Sequence, residues 1–181
     1  MVRIKCVVIG DIDVGKTWLI NTYINGNPPD MPRPTIFDAY SAEINSDGLL
    51  SIWDTAGDNA HDKLRSKSYP NTDVFLICFA IDNILSFKNI PKWVGEIEHI
   101  GAPMILVGTK VDVRNDISPE EKIATSSGKN TAEKYGFKNY IECSALENYN
   151  VRKVFDEAIR ATHQEEEVVE KARCCGWFCC K

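Results

Sequence analysis

No stretch of this chain reaches the roughly 18 consecutive apolar residues that a membrane-crossing helix needs, so no transmembrane span is expected. The first residues run straight into a strand pattern and leave no room for a signal peptide, which points to an intracellular protein. Positive charge is not in excess: the net charge is −5, and bulk electrostatics suggest no nucleic-acid partner. Internal repeats are absent. A disulfide framework is not expected in a reducing compartment, although there are seven cysteines. Cys6, Cys78 and Cys143 sit in strand-like runs and read as reduced core residues. The other four crowd the last eight positions. What remains is an ordinary globular composition, 44% apolar and 26% charged. At 181 residues the chain is long enough for one domain with a sizeable core.

The most informative segment is Gly10-Asp11-Ile12-Asp13-Val14-Gly15-Lys16-Thr17. It has the spacing of a phosphate-binding loop and follows the apolar run Cys6-Val7-Val8-Ile9. Gly10 and Gly15 let the backbone wrap a phosphate without Cβ clashes. The N–H groups of Asp13, Val14 and Gly15 and the N-terminus of the next helix then face the anion. Lys16 is expected to reach the β- and γ-phosphates, and the Thr17 hydroxyl to ligate Mg²⁺. Ile12 and Asp13 are the awkward members, because small residues fit such a loop more easily.

Strand patterns at 2–9, 38–45, 49–54, 73–79, 104–108 and 139–143 alternate with helical patterns at 15–24, 86–99, 125–135 and 151–164. The runs VFLICF and MILVG have no polar alternation, as expected of strands buried on both faces. Ser46-Asp47-Gly48 reads as a hairpin turn. The expected fold is a doubly wound α/β domain with one antiparallel strand pair. Residues 25–33 and 58–70 read as poorly structured loops placed to sense a nucleotide. A flexible Cys-rich tail occupies 164–181.

Three further motifs lie at strand ends. Asp54-Thr55-Ala56-Gly57 offers a carboxylate for the Mg²⁺ shell, through water, and a Gly57 N–H for a γ-phosphate. Thr109-Lys110-Val111-Asp112 offers a carboxylate that accepts two hydrogen bonds from guanine N1 and N2, a pair adenine does not present. Lys110 can lie along the base plane. Glu142-Cys143-Ser144-Ala145 brings the Ala145 N–H to guanine O6, with Ser144 and Leu146 beside it. Each motif alone is weak. Their order, each at a strand's C-terminal end, points to GTP and GDP and away from ATPases and P-loop kinases.

With these motifs the chain resembles a Ras-superfamily small GTPase of the Rho/Rac branch over about residues 1 to 163. Pro34-Thr35-Ile36-Phe37-Asp38-Ala39-Tyr40, Trp53-Asp54-Thr55-Ala56-Gly57 and Ser68-Tyr69-Pro70 onward carry the likeness, with Thr109 before Lys110. The resemblance implies a P-loop small G domain over 1–163, a six-stranded mixed sheet flanked by helices on both faces, and a switch whose GTP form orders two loops that bind effectors. It implies switch I at about 26–40, with Thr35 as a Mg²⁺ ligand and 34–40 as the effector segment, and switch II at about 55–72. Trp53 matches the pattern for exchange-factor recognition. A monomer is expected.

The departures from the family matter as much. It carries Gly where this chain has Ile12, and a water-positioning Gln where it has Asp58. Asp58 is shorter and only accepts when ionised, and Ile12 crowds the space an arginine finger uses. Asp58 is therefore a weak catalytic replacement beside Gly57. Slow hydrolysis, insensitive to activating proteins, is expected. The alternative is a conventional cycling GTPase that tolerates both residues. Pro28 stands where the family has an aromatic contact to guanine, and Pro32 where it has Tyr, so fast exchange is expected. Trp18 replaces a small residue near the ribose side; it either covers the nucleoside or packs in the core. The Rho insert is truncated, and Ser118-Pro119-Glu120-Glu121 reads as the start of one short helix. A nucleotide-free pseudo-GTPase is disfavoured by intact Lys16, Thr17, Asp54, Lys110 and Asp112.

The tail ends Phe178-Cys179-Cys180-Lys181, so the usual prenylation signal is missing. Four Glu oppose two Lys and one Arg from 164 on, leaving weak attraction to anionic lipid. Cys174, Cys175, Cys179 and Cys180 around Trp177 are instead candidates for S-acylation and peripheral anchoring to a membrane. Rab-type double-Cys prenylation and an unmodified tail remain open. The pathway is not legible; a cytoskeletal role follows by family analogy alone.

Overall fold

A computed structural model describes residues 2–29, 37–44, 48–118 and 120–163. Six strands form one sheet: β1 (Val2–Gly10), β2 (Phe37–Ile44), β3 (Gly48–Thr55), β4 (Val74–Ala80), β5 (Met104–Thr109) and β6 (Asn139–Glu142). Their spatial order is β2-β3-β1-β4-β5-β6. β2 pairs antiparallel with β3, and every other pairing is parallel. The helices are α1 (Lys16–Asn25), α2 (Asp62–Arg65), α3 (Ile84–Lys88), α4 (Ile90–Ile97), α5 (Thr125–Lys134) and α6 (residues 151–163).

The absence of polar alternation in the central strands has the expected result. Every residue of β4 is buried, and successive side chains enter different cores, as a two-residue strand period requires. Leu76, Cys78 and Ala80 join Val8, Leu19, Val154 and Phe155 on one side. Phe75, Ile77 and Phe79 join Ile9, Trp93, Ile97 and Phe137 on the other. The sheet is thus covered on both faces, and its C-terminal edge holds the motif-bearing loops. Cys6, Cys78 and Cys143 are buried free thiols.

Three sequence expectations need correction. The single helix over 86–99 is two, α3 and α4, with Asn89 between them. Pro91 lies in the first turn of α4; lacking an N–H and clashing with the carbonyl four residues back, it cannot sit inside a continuous helix. Residues 58–70, expected to be irregular, wind through 3₁₀ turns at Asn59–His61 and Ser66–Ser68 around α2. Their anchor is a buried arginine described below. The short helix expected at 118–121 is not formed among the described residues there. The Glu121 N–H meets the Ser118 carbonyl in a turn, and Ser118 Oγ donates to Glu121 Oε2 at 2.9 Å. Ile123 already docks on β4's end, its N–H on Ile81, so too few residues remain to repay helix nucleation. A 3₁₀ helix forms earlier, at Val111–Asn115. The hairpin turn is described only at Gly48, which pairs with Ile44.

Candidate nucleotide site

The loop between β1 and α1 is built from left-handed residues. Gly10, Asp13 and Gly15 have φ of 142°, 59° and 89°. At Gly10 a side chain is impossible, because a Cβ would lie 2.2 Å from the Cys78 carbonyl oxygen. Such alternation turns successive N–H groups toward one concavity. The Lys16 ammonium folds back across it and donates to the carbonyls of Gly10 at 2.9 Å and Asp11 at 2.7 Å. Only 7% of Lys16 is exposed, and this burial lowers its pKa, against the raising effect of Cys78, Asp54 and Asp11.

The loop is tethered at three points. Asp11 accepts from Asn89 Nδ2 and Trp93 Nε1, both at 2.7 Å. The Val14 carbonyl accepts from Thr109 Oγ1 at 2.5 Å. Gly57 lies flat against Asp11 and Ile12, where an added Cβ would come within 2.3 Å of backbone. The partners of Asp11 are 78 and 82 residues away, and no local pattern pointed to them.

Parallel pairing of β1 with β3 sets Asp54 beside Val8. Thr17 Oγ1 donates to Asp54 Oδ2 at 2.6 Å. A hydroxyl and a carboxylate together are hard oxygen donors, the type Mg²⁺ prefers, and Mg²⁺ commonly takes only one or two protein ligands and completes its shell with phosphate and water. The pair therefore fits that ion. Among the described residues no cluster of three His, Cys, Asp or Glu forms a metal cage. Thr35 lies outside the described residues.

The loop opens into a cavity of about 630 Å³ lined by the 12–19, 55–58, 109–112 and 143–146 segments. Of the nucleotide residues named from sequence, Asp13, Gly15, Lys16, Thr17, Trp18, Gly57, Thr109, Lys110, Asp112, Ala145 and Leu146 are brought together on its wall, with Asp58, named as a weak catalytic replacement, beside them. Val14 and Ser144 stand behind it, fully buried. Ser144 braces the last loop, exchanging backbone hydrogen bonds with Tyr149 and accepting the Glu147 N–H on its hydroxyl at 3.0 Å. Leu19, Thr55, Ala56 and Cys143 also line the wall. Thr55, Ala56 and Cys143 fall within the strand-end motifs but were given no contact with the nucleotide, and Leu19 was not named, because nothing local separates it from core residues. Lys110 has φ 59°, and its Nζ lies 3.5 Å from Asp82 Oδ2. Trp18 is half-buried on the cavity wall and belongs to neither core. Pro28 is half-buried and not on the wall.

At the phosphate end, Ile12 is 59% exposed. Opposite it, the Asp58 Oδ1 accepts from the His61 backbone N–H at 3.0 Å and pairs with His61 Nδ1 at 2.7 Å. The ring hydrogen bond is the main reason the Asp58 pKa is lowered. Below it, Arg65 is 1% exposed. It donates to the carbonyls of Ala56 and Asp58, both at 3.0 Å, and to Glu96 at 3.1 Å. Sequence reading missed Arg65; a lone basic residue in a polar stretch carries no signal of burial.

Of the effector segment, Pro34, Thr35 and Ile36 lie outside the described residues. Asp38 and Ala39 are exposed on β2, while Phe37 packs edge-on to Trp53 at 5.2 Å. Lys5 Nζ sits 4.6 Å from the Trp53 ring. The four tail cysteines also lie outside the described residues.

A phosphate loop at the end of the first strand of a mostly parallel sheet, facing a Thr–Asp pair and two base-side loops, defines a P-loop nucleotide-binding domain of the small G type. The family model that matches residues 5–164 is that of the Ras family. The chain is 39% identical to "GTP-binding protein RHO1" of Candida albicans, over 96% of this chain and 94% of that protein. The chain belongs to the Ras family, as a small GTPase of the Rho type.

Proposed function

We propose that the chain is a guanine-nucleotide-binding signalling switch that rests in its GTP-loaded state, with impaired hydrolysis and fast exchange. One observation carries this reading: Asp58, at the position that should orient the attacking water, commits its carboxylate to His61.

In this reading the N–H groups of 13–17 cradle the phosphates, and Lys16 turns from the Gly10 and Asp11 carbonyls to the β- and γ-phosphates. The phosphate charge offsets the cost of burying the ammonium. Thr17 and Thr35, with Asp54 through water, would hold Mg²⁺. When bound, that ion neutralises charge on the β- and γ-phosphate oxygens. The Gly57 N–H meets the γ-phosphate. Asp112 accepts from guanine N1 and N2, Lys110 covers the base plane, and the Ala145 N–H donates to O6.

The water-activating step is where the reading departs from an ordinary switch. A Gln amide would both donate to and accept from the water. Asp58 is ionised at neutral pH, as an aspartate with an ordinary pKa already is, and the His61 hydrogen bond favours the charged form further. It therefore accepts only, and it places negative charge beside a negative γ-phosphate. Exposed Ile12 occupies the side from which an arginine finger would enter, a contribution of about 10³ to 10⁵ in rate. Release is eased by Pro28, which supplies no ring to the base. The protein then serves effectors through residues 34–40 and the 55–72 segment. Exchange factors engage it around Trp53, and the tail cysteines, once acylated, hold it on a membrane.

The test is the nucleotide recovered with the full chain purified from cells. GTP in excess over GDP is expected. Predominant GDP would favour the conventional cycle, and absence of guanine nucleotide would end the reading.

A further inference from the structure

Trp18 stands on the first turn of α1, directly after the two residues that face the phosphate and the Asp54 carboxylate. Its direction follows from helix geometry. Residues four apart share a helix face, and helical side chains lean toward the N-terminus. Four residues on, Thr22 donates its hydroxyl to the Ala145 carbonyl at 3.2 Å. Trp18 therefore faces the same 145–146 loop, one turn nearer the phosphates. Both Ala145 and Leu146 line the cavity with it, and Leu146 is 61% exposed. The spacing between α1 and this loop is held a second time, by Asn148 Nδ2 on the Gly26 carbonyl at 3.1 Å.

Among the described residues this large ring belongs to neither core and stands half-buried on the wall of a braced cavity, a placement that suits a ligand contact better than a core role. From this placement we infer that Trp18 is the aromatic wall on which the nucleoside half of the ligand packs. The inference rests on the guanine-nucleotide reading above and extends it. The wall belongs to α1, whose Leu19 and Ile20 are packed into the core. Pro28, off the wall, gives the nucleoside no ring; Trp18 replaces part of that contact from α1. Retention of nucleotide is thereby shifted from a loop to a helix.

The test uses the full chain loaded with mant-GDP and chased with excess GDP. Trp18→Leu keeps apolar bulk but loses the planar face, and release is expected to quicken about fivefold or more, the scale of one aromatic contact. Trp18→Phe keeps a ring and is expected to stay within about twofold of the parent. Release from Trp18→Leu at the parent rate, or equal quickening in both variants, would overturn the inference. Contact quenching by unlabelled GDP supplies a readout independent of the leucine variant's folding. Tryptophan emission should fall on binding in the parent and not in Trp18→Phe; an equal fall in both would also overturn it. Failure of the parent to prefer guanine over adenine nucleotide would instead sink the underlying reading.

Discussion

The Asp58 carboxylate receives two hydrogen bonds from one residue, His61, through its backbone N–H at 3.0 Å and its ring Nδ1 at 2.7 Å. The first caps the 3₁₀ turn Asn59–His61. The second draws the ring over the same oxygen. This relationship ties a local stabilising device to the position proposed to orient water, and an acidic cap is poorly suited to guiding water toward a phosphate.

Its acid dependence has a definite sign. His61 lowers the Asp58 pKa from its ordinary value of 3.8. A carboxyl whose folded pKa is depressed contributes stability above its unfolded value and loses it as pH falls through the folded one. The cap should persist at neutral pH and fail below 3.8. Carboxyl NMR titration should find Asp58 below the ordinary value, and His61→Ala should move it up. An unmoved titration would show that His61 is not the cause.

Arg65 gathers the segment that carries Asp58. Buried at 1% exposure, it joins the Ala56 and Asp58 carbonyls to Glu96. Removing the guanidinium strips the Ala56 and Asp58 carbonyls of this donor and leaves Glu96, a quarter of it exposed, without its cation. Arg65→Ala should cost about 3 kcal/mol in urea unfolding. A loss under about 0.5 kcal/mol would mean the segment is held by something else.

Gly128 sets helix propensity against packing. Alanine in α5 would gain about 1 kcal/mol over glycine by propensity. Its Cβ, however, would meet the Tyr140 ring at 2.2 Å. That ring is held by its hydroxyl on Glu142 Oε1 at 2.7 Å and by stacking on Phe79 at 6.1 Å. Overpacking typically costs about 1 to 3 kcal/mol. Gly128→Ala should therefore lower thermal stability, and adding Tyr140→Leu should recover part of it. A stabilised single variant would contradict this packing.

The buried thiols should be inert. Burial raises Cys78 to about 12 and pushes Cys6 and Cys143 up as well. Thiolate is the reactive form. In the native protein at pH 8 these three should resist iodoacetamide and react only after unfolding, as peptide mapping would show. Prompt native labelling at Cys78 would contradict its burial.

The sequence was legible where chemistry is local. The phosphate loop, the central strands and the base-side motifs each declare themselves within a few residues, and the chain folds them onto one cavity. It was not legible where distant residues decide. Asp11 reads as an ordinary loop acid until Trp93, 82 residues away, is seen to donate to it. Arg65 reads as surface charge until Glu96 and two carbonyls enclose it. The break at Asn89 was in plain sight as Pro91, but a strong apolar period on both sides masked it. Trp18 was ambiguous because periodicity cannot tell a core face from a cavity wall.

If hydrolysis is impaired as proposed, an amide at position 58 should repair it. Ile12→Gly with Asp58→Gln should regain stimulation on the order of 10³-fold by a Rho-type activating protein. Either single change should recover less, because the finger needs both space and an oriented water. Absence of stimulation in the double variant, with nucleotide binding intact, would place the defect elsewhere.

The most direct measurement is single-turnover hydrolysis of GTP by the unaltered full chain, with and without a Rho-type activating protein. Slow hydrolysis that the activating protein speeds by less than about tenfold, against the usual 10³ to 10⁵, is the predicted result. Ordinary stimulated turnover would contradict the account, and Asp58 would then be a working substitute rather than a broken one.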